Sequence, residues 1–441
     1  MGKIFFGVVA DDFTGASDAA SFLVKAGVPT VLFNGIPYEM PELSGEIKAV
    51  VIALKTRTMQ RERAVAESLA AFQKLKAMGA SQLYLKYCST FDSTRKGNIG
   101  PVADAVMKAW NIPYTVLCPS LPVNGRTVKD GILYVNGVPL AESPMRNHPL
   151  TPMRDSSLVN LMEMQSEFPA MVIGNSSMVA AGSTVAGKPR YLIPDYETDE
   201  DGDRIAAFFG NLSFLTGGSG LIGALGRRYV KLQENGKGEE NLDAANRTGS
   251  EADRVTSSEN ESASSSRHEK AASKGKALVL AGSCSAMTLR QIADYTEHGA
   301  PSYRLRPDEL LDGRQDVRSV FEWISMQESG SLVFSSASPE DLEKSQRLGK
   351  ERVASKIEDT LAGLARTAVQ HGYTRIIVAG GETSGAVTQA LDYQAFEIGQ
   401  SVAPGVPVMT PLANPSLRLV LKSGNFGQED FFARALEMTE K

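Results

Sequence analysis

Cysteine is scarce in this chain. Its 441 residues include three, Cys88, Cys118 and Cys284, which cannot all pair and share no metal-ligand spacing. That excludes a disulfide scaffold and a zinc ribbon, and it fits a reducing compartment. An excess of positive charge is also missing. Lys and Arg total 46 against 51 Asp and Glu, a net charge of −5, so no basic face for nucleic acid is expected, and an anionic ligand would have to be met by local cations. No apolar run approaches the roughly 20 residues that span a bilayer. The opening MGKIFFGVVA lacks the length and cleavage site of a secretory signal, and its Met-Gly lacks the downstream hydroxyl needed for acylation. The expected location is cytoplasmic, with no membrane partner. A Walker A run is absent too, so the common phosphate-binding loop is excluded.

Short apolar, β-branched strands alternate with helical runs. KIFFGVVA (3–10), Val28 to Phe33, Ala49 to Leu54, Leu83 to Tyr87 and Tyr114 to Cys118 read as strands, with helices at Ala64 to Met78 and Pro101 to Trp110 between them. That order predicts an α/β fold with a mostly parallel sheet covered by helices. Residues 119–152 break the pattern with Pro, Gly and Asn around a short hairpin, ILYV then VPLA. Further strands are read at Ala170 to Ile173, Tyr191 to Pro194 and Ser213 to Thr216. The GxGxxG spelling after Ser213 to Thr216 lacks the second strand and acidic residue of a dinucleotide fold, which leaves a phosphate-facing or domain-junction glycine turn. Residues 232–276 are Glu, Ser, Asn, Gly and Lys with almost no large apolar side chain. Such a segment cannot bury a core and is expected to be a flexible linker. The expected organisation is two α/β domains, 1–231 and 277–441, joined by that linker.

The candidate chemistry sits at strand ends. RIIVA (375–379) is followed by Gly380, Gly381, Glu382, Thr383, Ser384 and Gly385 and then a helical run. A glycine turn into a helix start offers free N–H groups and the positive dipole end to a phosphate, or else is a tight packing turn. Ser283 to Ser285 and Ser423 to Gly427 repeat the arrangement, so three small-residue loops can form one polyphosphate cradle. Lys422 is either its cation or the partner of a structural carboxylate. In the first half, Asp11, Asp12 and Asp18 surround Gly15 at the end of the first strand. They read as a base or hydroxyl acceptor beside a helix start, with Asp12 as a cap in the plainer reading. Cys88 to Asn98 is dense in hydroxyls around Asp92, Arg95 and Lys96, as in a polyol and carboxylate pocket. Asn124, Arg126, Arg146, Asn147 and His148 are the polar groups of the irregular excursion.

Taken in order, ADDFTGASD (10–18), KYCSTFDSTRKGN (86–98), PVNGRTV (122–128), MRNHPLTPMRDS (145–156), TGGSG (216–220), AGSCS (281–285), VAGGETSGAV (378–387) and LKSGNFG (421–427) resemble the four-carbon acid sugar kinase family over nearly the whole chain. The resemblance implies a sugar-acid-binding N-terminal domain and an ATP-binding C-terminal domain. It implies nucleotide contacts at Ser283 or Ser285, Gly381, Glu382, Thr383, Ser384 and Gly424. Around the acceptor it implies Asp11, Asp12, Arg57, Lys86, Asp92, Arg95, Asn147 and His148. The expected reaction is transfer of the ATP γ-phosphoryl group to the C4 hydroxyl of a 3-oxo-tetronate, with threonate or erythronate as alternatives. Asp12 is the expected base and Asp92 the second choice. Arg57 or Arg95 would clamp the substrate carboxylate. Mg²⁺ would bridge the phosphates near Glu382 or a first-loop Asp, without an assigned ligand set. A ribokinase-type enzyme and a nucleotide-responsive sugar-acid-binding protein are the rival readings. A homodimer is left open.

Overall fold

The computed structural model describes residues 4–39, 41–147, 151–174, 189–247, 275–328, 330–336 and 349–440. The N-terminal lobe contributes β1 (Phe6–Ala10), β2 (Thr30–Asn34), β3 (Ala49–Ala53), β4 (Gln82–Lys86), β5 (Tyr114–Cys118), β6 (Arg126–Lys129), β7 (Ile132–Val135), β8 (Val138–Pro139), β9 (Ala170–Ile173), β10 (Arg190–Pro194) and β11 (Phe214–Gly217). The C-terminal lobe adds β12 (Ala277–Ala281), β13 (Ser302–Arg304), β14 (Ser331–Phe334), β15 (Arg375–Ala379), β16 (Ala395–Ala403), β17 (Val406–Pro411) and β18 (Arg418–Lys422). FGVVA, AVVIA, ALVLA and RIIVA are buried at every position. Strands covered by helices on both faces need that continuous apolar run.

Within each lobe most strands pair in parallel, as the alternating pattern predicts; β16–β17–β18 and β6–β7–β8 are antiparallel. The hairpin of the irregular excursion forms as β6–β7–β8. Its turns put Asp130 and Gly131 at φ 50° and 73°, and Asn136 and Gly137 at 52° and 80°, the left-handed pairs that a two-residue hairpin turn demands.

One expectation needs correction. The lobes do not carry separate sheets. Fifteen strands form one sheet in the order β13-β14-β12-β15-β18-β17-β16-β2-β3-β1-β4-β11-β5-β10-β9. Antiparallel pairing of β16 with β2 makes the join, with Phe396 opposite Leu32. The hairpin β16–β17 leaves a weak imprint in the sequence, because Gly399, Pro404, Gly405, Pro407 and Pro411 interrupt its alternation. The segment read as a linker begins in helix. The helix Ser219–Arg247 runs past residue 231, since the Glu, Gln, Lys, Leu and Ala of that stretch are good helix formers. Residues 248–274 lie outside the described set.

Pairings β18–β17, β17–β16 and β16–β2 are all antiparallel, so strand direction reverses between the lobes. Right-handed twist of roughly 20–25° per pair, over the six pairings from β15 to β1, amounts to about 120–150°. The register shifts in β16 after Ile398 and after Ser401 add to it. The twist brings the reversed strand ends back toward a common cleft. A single apolar cluster spans the join and includes Ala19, Leu23, Leu32, Phe396, Ile398 and Met409. The Phe13 and Phe396 rings meet edge to face across it at 5.8 Å.

Candidate active site

The strands β3, β1 and β4 are neighbours in the sheet, so the loops leaving their carboxyl ends converge. Backbone bonds fix the loops: Thr56 N–H donates to the Asp11 carbonyl at 3.0 Å, and Asp11 N–H to the Lys86 carbonyl at 3.1 Å. Asn98 donates through Nδ2 to the carbonyls of Thr56 (2.7 Å) and Met59 (2.8 Å). Arg57 is thereby aimed at the end of β1. It donates from Nε and Nη2 to the two oxygens of Asp11, each at 2.9 Å. Its Nη1 lies 2.8 Å from Asp12 Oδ2 and 3.8 Å from Asp92 Oδ2.

Three carboxylates thus surround one guanidinium, leaving two negative charges in excess. Burial pushes the Asp11 carboxyl above its usual range, against the pull of Arg57 and with a further push from Asp12. For Arg57, burial alone would lower the pKa, but Asp11 and Asp12 override it and hold the guanidinium charged. Asp12 also caps the helix α1 (Phe13–Lys25), accepting from Gly15 N–H at 2.6 Å. Asp92 accepts from Thr90 Oγ1 at 2.6 Å. The thiol of the neighbouring Cys88 is pushed up to about 12 by burial and by Asp92, so it stays protonated at neutral pH.

Arg57 thus has Nε and Nη2 on Asp11 and Nη1 beside Asp12, so the three acids share one cation. Arg95 is exposed on the loop beyond β4, and no carboxylate among the described residues pairs with it. Asn147 is exposed at the end of the turn Pro144–Asn147, and His148 lies outside the described residues. Lys86 is buried; its Nζ donates to the Tyr87 carbonyl at 2.9 Å and stands 3.8 Å from Asp18 Oδ2.

Asp18, absent from the acceptor set the resemblance implies, marks the joint between the lobes. It is buried, accepts from Ser219 Oγ, and has no hydrogen-bond partner at Oδ1 among the described residues. Burial raises its carboxyl, with Lys86 and Ser219 pulling the other way. A methyl group at Gly405, in the β16–β17 turn, would stand 2.5 Å from Asp18 Oδ1 and 3.1 Å from the Phe426 ring. The two lobes therefore touch where the LKSGNFG loop meets α1.

The three small-residue loops of the C-terminal lobe do come together. A methyl group at Gly424 would lie 2.5 Å from Ser283 Oγ and 2.9 Å from Ser285 Oγ; one at Gly380 would lie 3.0 Å from Thr383 Oγ1 and 3.2 Å from Ser283 N. Gly380 adopts φ 135° and opens the helix Gly381–Leu391. Thr383 and Ser384 are buried, and Ser384 Oγ has no partner among the described residues. Gly381 and Gly385 are different. Neither has a positive φ, and a methyl group on either would meet nothing within 4 Å. Neither backbone conformation nor packing within the chain calls for glycine there, and open space over free helix-start N–H groups is what a bound phosphate requires.

Lys422 lies beneath these loops. It is buried and donates to Thr288 Oγ1 (3.2 Å) and to the carbonyls of Ser423 (3.1 Å) and Gly424 (2.8 Å). No carboxylate among the described residues pairs with it, and burial lowers its pKa to about 7. Gln291 secures the same loop, donating through Nε2 to the carbonyls of Phe426 and Gln428. The glycines of TGGSG, by contrast, face the chain itself: methyl groups at Gly217, Gly218 and Gly220 would each stand 2.5 Å from a carbonyl of residues 118–120.

A family model described as a sugar-binding N-terminal domain matches residues 6–225, and one described as a nucleotide-binding C-terminal domain matches residues 278–432. The chain is 41% identical to a Brucella melitensis protein named 3-oxo-tetronate kinase, over 99% of this chain and 96% of that one. It is 40% identical to a Salmonella typhimurium protein of the same name, over 97% and 98%. Among solved structures, a Salmonella typhimurium chain superposes with a TM-score of 0.84 at 38% identity, covering 98% of this chain and 99% of that one. A Haemophilus influenzae chain gives 0.77 at 37%, covering 98% and 100%.

Proposed function

Because the chain belongs to the four-carbon acid sugar kinase family, alongside relatives named 3-oxo-tetronate kinase, we propose that it transfers the γ-phosphoryl group of ATP to the C4 hydroxyl of a 3-oxo-tetronate. One observation supports this most directly. Asp12 and Lys86 both lie against Gly15, Lys86 Nζ stands 3.8 Å from Asp18, Asp18 and Phe426 both lie against Gly405, and Phe426 belongs to the loop whose Gly424 packs against Ser283 and Ser285. The carboxylate cluster and the glycine cradle therefore share one joint between the lobes.

In the transfer, the bond from O4 to the γ-phosphorus forms as the bond from that phosphorus to the β,γ-bridging oxygen breaks. The C4 hydroxyl proton passes to a carboxylate, and ADP leaves. Such chemistry asks the protein for alignment and charge stabilisation more than for covalent participation. Asp12 is the base in this reading. Its side chain is 32% exposed, against 12% for Asp11 and 8% for Asp92, so it is the member a substrate hydroxyl reaches. Arg57 holds it in place. Arg95 is the exposed cation for the substrate carboxylate. Gly381 to Ser384 and Gly424 cradle the phosphates over Ser283, with Ser285 capping the helix Ala286–Glu297 behind it.

The donor set near Gly381 fits Mg²⁺, which takes most of its ligands from phosphate and water with one or two carboxylates. Glu382 is exposed there and close enough to Glu358 to add to the upward push that burial gives the latter's carboxyl. Glu382, aided by Glu358, would hold the ion, which neutralises phosphate charge when bound. Coupled ADP-release assays with 3-oxo-tetronate, threonate and erythronate test the substrate: turnover confined to a 3-oxo acid is expected, and turnover confined to threonate or erythronate would reassign it. Asp12→Asn is expected to lower kcat by roughly 10²–10⁴. Full turnover in both Asp12→Asn and Asp92→Asn would discard a carboxylate base.

A further inference from the structure

A cavity of about 1040 Å³ separates the lobes beside the LKSGNFG loop. Its C-terminal wall includes Asn425 to Gln428, directly beyond Gly424, and its N-terminal wall includes Arg126. Four cations line it, Lys25, Arg126, Arg227 and Arg434, against two acids, Asp199 and Asp430. The lining is thus positive by two charges in a chain whose net charge is −5. A concave wall of one sign focuses field on an anion of the opposite sign.

Arg126 stands apart among these cations. Lys25, Arg227 and Arg434 are exposed, and Arg227 pairs with Asp203. Arg126 is half-buried, and its Nε is fully buried without a hydrogen-bond partner among the described residues. Its Nη1 donates to the Asn124 carbonyl, and no carboxylate among the described residues pairs with it. Its backbone is fixed. Leu121 N–H donates to the Arg126 carbonyl at 2.9 Å and Arg126 N–H to the Leu121 carbonyl at 3.1 Å, closing the loop around Gly125 at φ 70°. Asn136 N–H then ties the Gly125 carbonyl to the hairpin at 2.7 Å. A half-buried guanidinium whose buried Nε is unmet, on a closed loop that lines the same cavity as Asn425 to Gln428, leaves a donor whose burial is costly unless an acceptor arrives.

We propose that Arg126 is a catalytic residue of the transfer, presented by the N-terminal lobe across the cavity to the phosphate chain held by the C-terminal lobe. The proposal rests on the ATP-dependent reading above. Its planar fork bonds two oxygens of the transferring group at once, and the charge it meets grows as the bridging oxygen departs. Binding of the nucleotide itself is left to the cradle.

The test separates these parts. ADP binding is measured by calorimetry, and turnover by coupled assay, for the full-length parent, Arg126→Ala and Arg126→Lys. Expected are a fall in kcat of roughly 10³ for Arg126→Ala, an ADP dissociation constant within about threefold of the parent, and partial restoration of rate by added guanidinium. Arg126→Lys keeps the charge without the fork and is expected to lose at least about tenfold in kcat; it carries the test if the alanine variant does not fold. A folded variant with kcat within about fivefold of the parent overturns the assignment, and so does a kcat loss matched by an equal loss of ADP affinity. A parent that releases no ADP with any four-carbon acid overturns the ATP reading instead, and this role with it.

Discussion

In the proposed phosphate cradle, Gly381 and Lys422 are residues whose fit to a ligand comes at some cost to the bare fold. With nothing within 4 Å of a methyl group at Gly381 and no positive φ, Gly381→Ala is expected to leave stability unchanged or raise it by up to about 1 kcal/mol. ADP affinity should fall at least about tenfold. Urea unfolding with ADP titration checks both, and parent-like affinity would remove the phosphate from this helix start. Lys422 has a folded-state pKa of about 7 against an ordinary 10.5. Between those values the unfolded chain binds the extra proton, so this group makes unfolding free energy rise with pH across that window. Below the window both states are protonated and the cost of the buried ammonium is fully present. Lys422→Met is expected to flatten the rise, and identical pH profiles for parent and variant would mean that the ammonium is not desolvated.

The working elements are strand ends, and adjacency in the sheet decides which of them meet. Because β3, β1 and β4 are neighbours, the Arg57 loop, the Asp11–Asp12 turn and the Asp92 loop share one small space. Among the described residues, Arg57 is the only cation that pairs with these three acids. Removing one partner of a buried pair strands the other's charge, so Arg57→Met is expected to cost about 3–5 kcal/mol at neutral pH. The sign with pH follows from Asp11. Its carboxyl is already raised in the folded state, so the folded variant takes up protons before the unfolded chain does, and the penalty shrinks as pH falls. An equal penalty at neutral and acid pH, read from urea midpoints, would show that charge is not its source.

At the scale of the whole molecule, the lobes are coupled through backbone and core. Phe396 is fully buried in β16, opposite Leu32 of β2 and against Phe13 of the helix that Asp12 caps. Phe396→Ala is expected to cost about 3–5 kcal/mol and to lower a single unfolding transition. Two separated transitions in calorimetry would mean that the lobes fold independently despite their shared sheet.

What the sequence determined by itself is what short-range physics encodes. Apolar runs of strand length, glycine turns into helices and alternating βα order gave most strands of both lobes, though not β6, β13 or β17, together with the hairpin turns at Asp130-Gly131 and Asn136-Gly137 and the three loops that meet around Ser283. Motif order also gave the family. Only the tertiary structure decided how distant segments share partners. That β16 seeks the edge of β2, that Arg57 spends its fork on Asp11, that Lys422 has no counter-ion among the described residues, and that Arg126 lines the same cavity as Asn425 to Gln428 are all settled by how segments far apart in the chain come together. The reason is physical: backbone sterics and side-chain periodicity act over a few residues and leave a local imprint. Pairing of charges and sheet edges depends on which groups remain unsatisfied once everything else has packed.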